Sequence, residues 1–166
     1  MASLRLPHFG ILDTVALDDY YDTEFEYNKT EVQLQLNFDN KSIDIQRLET
    51  VKHFIDNIRI HDLNNRKRLE KDYEDKDGAT VKIYIENELD QLAEDDLAAL
   101  LGPTTKASDI PRLLLQKLHL VRVGLYPDNE DQFATFDYSL NPEVTNQLVV
   151  LFTDANGNLD YMTIES

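Results

Sequence analysis

Gln147-Leu-Val-Val-Leu-Phe-Thr-Asp-Ala-Asn-Gly-Asn-Leu-Asp-Tyr-Met-Thr-Ile-Glu165 decides the reading of the fold. Two β-rich runs flank Asn156-Gly157, the strongest hairpin signal in the chain, because both residues tolerate the positive φ of a primed turn. A turn at that point pairs Phe152 with Tyr161 on one face and Leu151 with Met162 on the other. Leu148 to Phe152 is apolar on both faces, so this strand is expected to be central. Helices would cover one face, and further protein, such as a second subunit, the other.

Working back, His119 to Tyr126 and Gln132 to Leu140 read as two more strands, which makes the last third a four-strand meander. The N-terminal part holds a second hairpin. Tyr20 to Tyr27 and Thr30 to Phe38 are joined by the two residues Asn28-Lys29. Val32, Leu34, Leu36 and Phe38 alternate with polar residues, the mark of a half-buried strand. The register set by this turn puts Phe25 opposite Val32 and Thr23 opposite Leu34 on the inner side, with Glu26 opposite Glu31 outside. Phe9 to Leu12 is expected to add an edge strand.

The middle reads as helical. Ser42 is the expected N-cap of a helix carrying Ile45, Leu48, Val51, Ile55 and Ile58, and a second helix runs from about Asp62 to Asp75. Its charges alternate in sign, which suits a solvated face. Ala79 to Ile85 alternates and is expected to be a strand. Glu86 to Leu101 reads as one helix stopped by Gly102-Pro103, and Ser108 or Asp109 caps a short helix through Leu118. The expected architecture is a single α+β domain over residues 1–166: an N-terminal hairpin and a C-terminal meander in one antiparallel or mixed sheet, with helices mainly on one face.

Charge bounds the function. The 166 residues hold 32 acids and 16 bases, for a net charge of −16. Phosphate backbones and anionic membranes attract basic surfaces, so nucleic acid and membrane are not expected partners. The acidity is uneven. Residues 1–40 hold 8 acids and 2 bases, residues 41–78 hold 9 of each, and residues 79–166 hold 15 acids and 5 bases. There is no cysteine, so neither disulfides nor thiolate metal sites can form. No signal-peptide core or membrane-length apolar run is visible, and the expected compartment is the cytoplasm.

Val121-Arg-Val-Gly-Leu-Tyr-Pro-Asp128, Phe133-Ala-Thr-Phe-Asp-Tyr-Ser-Leu140, Gln147-Leu-Val-Val-Leu151 and Tyr161-Met-Thr-Ile-Glu-Ser166 resemble a domain-of-unknown-function family of small acidic bacterial proteins. The resemblance covers the final third and implies a bacterial, cytoplasmic α+β protein, with no activity or catalytic residue to carry over. More loosely, the profile is similar to immunity proteins that neutralise toxins of neighbouring cells.

No motif names a chemistry. Asp154-Ala-Asn-Gly-Asn-Leu-Asp160 spaces oxygen ligands like a calcium loop, but Leu159 stands where glycine belongs and the flanks are strands, so a hairpin explains it better. His8, His53, His61 and His119 show no zinc spacing. Neither a glycine-rich phosphate loop nor a serine nucleophile elbow is present. The expectation is therefore a non-catalytic binding protein with no cofactor or metal. Its basic protein partner would meet Glu24, Glu26 and Glu31 on the hairpin, Glu86, Glu88 and Asp90 on a helix, and the amphipathic rings of Tyr138 and Tyr161. An enzyme or small-ligand sensor, and a homodimer with no other partner, are the alternatives.

Overall fold

The computed structural model describes residues 2–166. Strands β1 (Ser3–Leu6) and β2 (Gly10–Asp13) form a separate two-stranded ribbon. Phe9 to Leu12 is thus not an edge of the main sheet: it turns back on Ser3–Leu6 through His8 at φ 72° and Gly10 at φ 85°. Strands β3 (Tyr20–Tyr27) and β4 (Thr30–Asn37) follow, then helices α1 (Ile45–Asp56), α2 (Ile58–Glu74), α3 (Val81–Gln91), α4 (Glu94–Leu101) and α5 (Ile110–Lys117). Strands β5 (His119–Leu125), β6 (Ala134–Ser139), β7 (Leu148–Thr153) and β8 (Leu159–Glu165) close the chain.

β3 to β8 lie side by side in chain order in one six-stranded sheet. Every neighbouring pair is antiparallel except β4 with β5, which is parallel. A parallel neighbour cannot be reached by a tight turn, so the five helices together serve as the crossover. They cover one face. Leu48, Val51, Phe54, Leu69, Tyr84, Ile85 and Leu114 share a single core with Val32, Leu34, Leu36, Val123, Phe136, Val149 and Leu151 of the sheet. Among the described residues, no helix is long and apolar enough to cross a membrane.

The β3–β4 hairpin has the expected register, with Phe25 opposite Val32 and Glu26 opposite Glu31. Asn28 and Lys29 take φ of 50° and 66°, the left-handed pair that a two-residue primed turn demands. Lysine is strained there. Lys29→Gly is expected to stabilise the fold by about 0.5–1 kcal/mol in urea denaturation, the relief of left-handed strain exceeding glycine's added chain entropy. An unchanged or lower midpoint would show that the turn bears no strain.

The β7–β8 connection reaches the expected pairs, Phe152 with Tyr161 and Leu151 with Met162, by a different route. Only Gly157 has positive φ, at 81°, so this is not a primed Asn-Gly turn. Asp154 organises it instead, its carboxylate accepting from the backbone N–H groups of Asn156 and Asn158. These bonds favour the ionised form and hold the Asp154 carboxyl below its usual range despite some burial. Thr153 then pairs with Leu159, and Asp160 is the extra residue of a bulge that restores the register.

Four expectations for the middle of the chain need correction. Ala79 to Ile85 contains no strand, because Val81, Tyr84, Ile85 and Glu88 are buried at helical spacing while Ile83 is 44% exposed. The start of α3 is set from outside: the Asp72 carboxylate of α2 accepts the Val81 N–H at 2.8 Å. The long helix from Glu86 is two, since Leu92 and Ala93 are extended. Glu94, Asp95 and Asp96 fall in the first turn of α4, where negative charge suits the helix dipole. Asp44 rather than Ser42 caps α1, accepting from Gln46 N–H. α2 begins at Ile58, directly after Asn57.

Candidate functional site: the open sheet face

The alternation that buries Val32, Leu34 and Leu36 turns Glu31, Gln33 and Gln35 to the opposite face, which carries no helix. Cross-strand register extends it. Asp22 stands opposite Gln35, Glu24 opposite Gln33 and Glu26 opposite Glu31. Gln33 then pairs with Arg122, Arg122 with Asp137, and Asp137 with Val150. Towards the far edge come Phe152 and Tyr161, stacked with ring centroids 4.4 Å apart.

Arg122 forms the floor. Its Nε donates to Asp137 Oδ2 at 2.5 Å, and the aspartate side chain is only 6% exposed. Burial pushes the Asp137 carboxyl above its usual range, while the guanidinium beside it pulls the other way. On one side of Arg122 lies a hollow of about 650 Å³ walled by Glu24, Glu31 and the Asn141–Glu143 loop. On the other side a hollow of about 360 Å³ is lined by Tyr126, Thr135, Asp137 and Phe152. The Tyr126 ring lies over Gly124, whose missing side chain makes the room: a Cβ there would sit 3.3 Å from the ring and 2.7 Å from Thr135 Oγ1.

The acids of β3 and β4 are not neutralised. The ion pairs among the described residues join Arg47 to Asp128, Arg66 to Asp62, Arg112 to Glu74 and Arg122 to Asp137. None reaches Asp22, Glu24, Glu26 or Glu31. Glu31 lies within hydrogen-bonding reach of Glu24, and its proximity and charge lift the Glu24 carboxyl above its ordinary value. Elsewhere the carboxylates have structural work: Asp13, Asp44, Asp75, Asp128 and Asp154 each accept a backbone N–H.

Of the eight residues singled out from sequence, Glu24, Glu26, Glu31 and Tyr161 share this face and are exposed. Glu86 and Asp90 are exposed on α3, in the helical layer, so the two acidic stretches do not form one patch. Two residues are corrected. Tyr138 is fully buried, because it has the same parity on β6 as the core residue Phe136, and its hydroxyl donates to Asp62 Oδ1 at 2.7 Å. Glu88 is 1% exposed on the core side of α3. Thr145 Oγ1 donates to its Oε1, while Oε2 has no partner, and burial raises its carboxyl's pKa.

Sequence reasoning missed Arg122, Asp137 and Glu165 as parts of this face. The signal was present for Asp137: Thr135, Asp137 and Ser139 alternate with Ala134, Phe136 and Tyr138, which separates an outward from an inward set. Arg122 was hidden by the register shift between Leu120 and Arg122, which changes parity within β5. No family model, curated protein or solved structure matches this chain.

Proposed function

We propose that this protein is a non-catalytic, cytoplasmic binding module whose open sheet face docks a basic protein. Neutralisation of a basic toxin, in the manner of an immunity protein, is the most specific form of that reading. One observation carries it: Asp22, Glu24, Glu26 and Glu31 cluster on a face without helices, and among the described residues no lysine or arginine pairs with them. Glu26 and Glu31 are directly opposed, an arrangement that destabilises a hairpin by some tenths of a kcal/mol. A cationic side chain between them reverses the sign of that interaction.

The aromatic side of the face complements the acids. Tyr161 is 44% exposed and Tyr126 38%, and rings of this kind anchor interfaces with little loss of conformational freedom. Charge would steer the encounter and the rings would hold the complex.

The test is a pull-down from native lysate, followed by association kinetics with each recovered protein over a range of salt. Basic partners are expected, with an association rate falling as salt rises. The triple substitution Glu24→Gln, Glu26→Gln, Glu31→Gln should slow association about tenfold at low salt with little change in thermal stability. Recovery of only acidic or neutral partners, with affinity indifferent to salt, would sink the reading.

A further inference from the structure

We propose that β3 offers its open edge to the partner, which adds an extended basic segment as a seventh strand of the sheet. This deepens the docking reading above and rests on it.

β3 spans eight residues, pairs with β4 on one side and ends the sheet on the other. In a two-residue hairpin, the residues flanking the turn exchange both hydrogen bonds, and bonded and non-bonded pairs alternate from there. Tyr27 and Thr30 flank this turn. Phe25, Thr23 and Tyr21 therefore bond to β4, while Glu26, Glu24, Asp22 and Tyr20 aim their backbone N–H and C=O groups away from it. Among the described residues, no backbone group outside β4 bonds to those four. The residues with free edge groups are the same ones whose side chains stand on the open face, and three of the four are acidic.

That coincidence specifies the incoming strand. Its residues opposite Asp22, Glu24 and Glu26 lie at cross-strand contact distance, about 4.5–5.5 Å between Cβ atoms, where lysine or arginine pairs favourably. The alternate residues meet Tyr21, Thr23, Phe25 and Tyr27, which are half-buried, and should be apolar or β-branched. The partner segment thus alternates basic with apolar residues over about six to eight positions. The same acids oppose pairing of two β3 edges, which would set carboxylate against carboxylate. Guarding the edge does not explain Glu31, which lies on β4, one strand inward, and adds repulsion to the hairpin. A cationic strand beside β3 explains both. The opposite edge, β8, carries Asp160 and Glu165 alone as acids and lacks this density.

The test uses the full chain and two synthetic peptides of eight residues. One alternates lysine with valine, and the other has the same composition with the lysines in a block. Amide hydrogen exchange at Asp22, Glu24 and Glu26 is read with and without each peptide. The alternating peptide should bind at least about tenfold more tightly and slow exchange at those three amides by about tenfold or more, as strand addition supplies main-chain hydrogen bonds. Glu24→Pro removes an outward N–H that β4 does not use, so the hairpin should persist while binding falls about tenfold below that of Glu24→Gln, which loses the same charge but keeps the N–H. Equal binding of the two peptides, or bound peptide with unprotected edge amides, overturns strand addition. If that binding still weakens with salt, docking of basic partners survives. If neither peptide binds at low salt, both ideas fall.

Discussion

Asp62→Ala is expected to lower the unfolding free energy by about 3–5 kcal/mol, or to prevent folding, as read by urea denaturation followed by circular dichroism. Asp62 is 1% exposed on α2, facing the sheet. One carboxylate oxygen accepts from the Tyr138 hydroxyl of β6 and the other from the Tyr27 hydroxyl of β3, each at 2.7 Å. Arg66, one turn along, approaches within 3.5 Å. Burial and the neighbouring carboxylate push the Tyr27 hydroxyl up to about 12 and the Tyr138 hydroxyl well above its normal value, so both remain donors at any working pH. This single acceptor ties the helical layer to both halves of the sheet. Its removal leaves two tyrosine hydroxyls without an acceptor, one of them fully buried, and a cation without its counter-charge. Asp62→Asn keeps an acceptor oxygen and the shape, so a smaller loss, about 1–2 kcal/mol, is expected. A change under about 1 kcal/mol for Asp62→Ala would mean that the two tyrosines find other partners at no cost.

The second large effect is expected at Gly157. A Cβ there would lie 2.3 Å from His61 Nδ1 and 2.7 Å from its Cε1. His61 cannot swing away freely, since its ring stacks on Phe54 at 4.2 Å. The backbone is constrained too: φ is 81°, and Gly157 C=O accepts from Arg68 Nη1 at 2.9 Å. Overpacking and left-handed strain together should cost about 2–4 kcal/mol in Gly157→Ala. Adding His61→Ala to that variant should return the steric part and leave only the backbone part, a coupling that a double-mutant cycle measures. Additive losses would show that His61 does not hold the turn.

Both effects also show where sequence reading stops. Asp62 lies among Arg59, Arg66, Lys67 and Arg68 on a helix that reads as a solvated face with local ion pairs. What buries it is a pair of tyrosines 35 and 76 residues away. Asn156-Gly157 was legible as a turn, but the bulge at Asp160 depends on the Asp154 carboxylate gathering backbone donors. The register came out the same because the extra residue Asp160 returns Tyr161 to the position opposite Phe152. On the candidate site, Glu24, Glu26 and Glu31 were readable because they share one hairpin, whose turn fixes the pairing locally. Arg122 and Asp137 were not, since they reach the face through a parallel pairing between strands separated by five helices.

The chain alone therefore determined what short-range periodicity and turn chemistry can encode: the two hairpins with their registers, the C-terminal meander, the α+β class and the acidity of β3 and β4. Tertiary structure decided which of the period-ambiguous segments became helix, as at Val81–Gln91, where the decisive cap comes from Asp72 of another helix. It also decided which polar residues are hidden. Tyr138 and Glu88 went inside because a polar side chain can be buried where a distant partner meets it, and no local pattern records where that partner will lie.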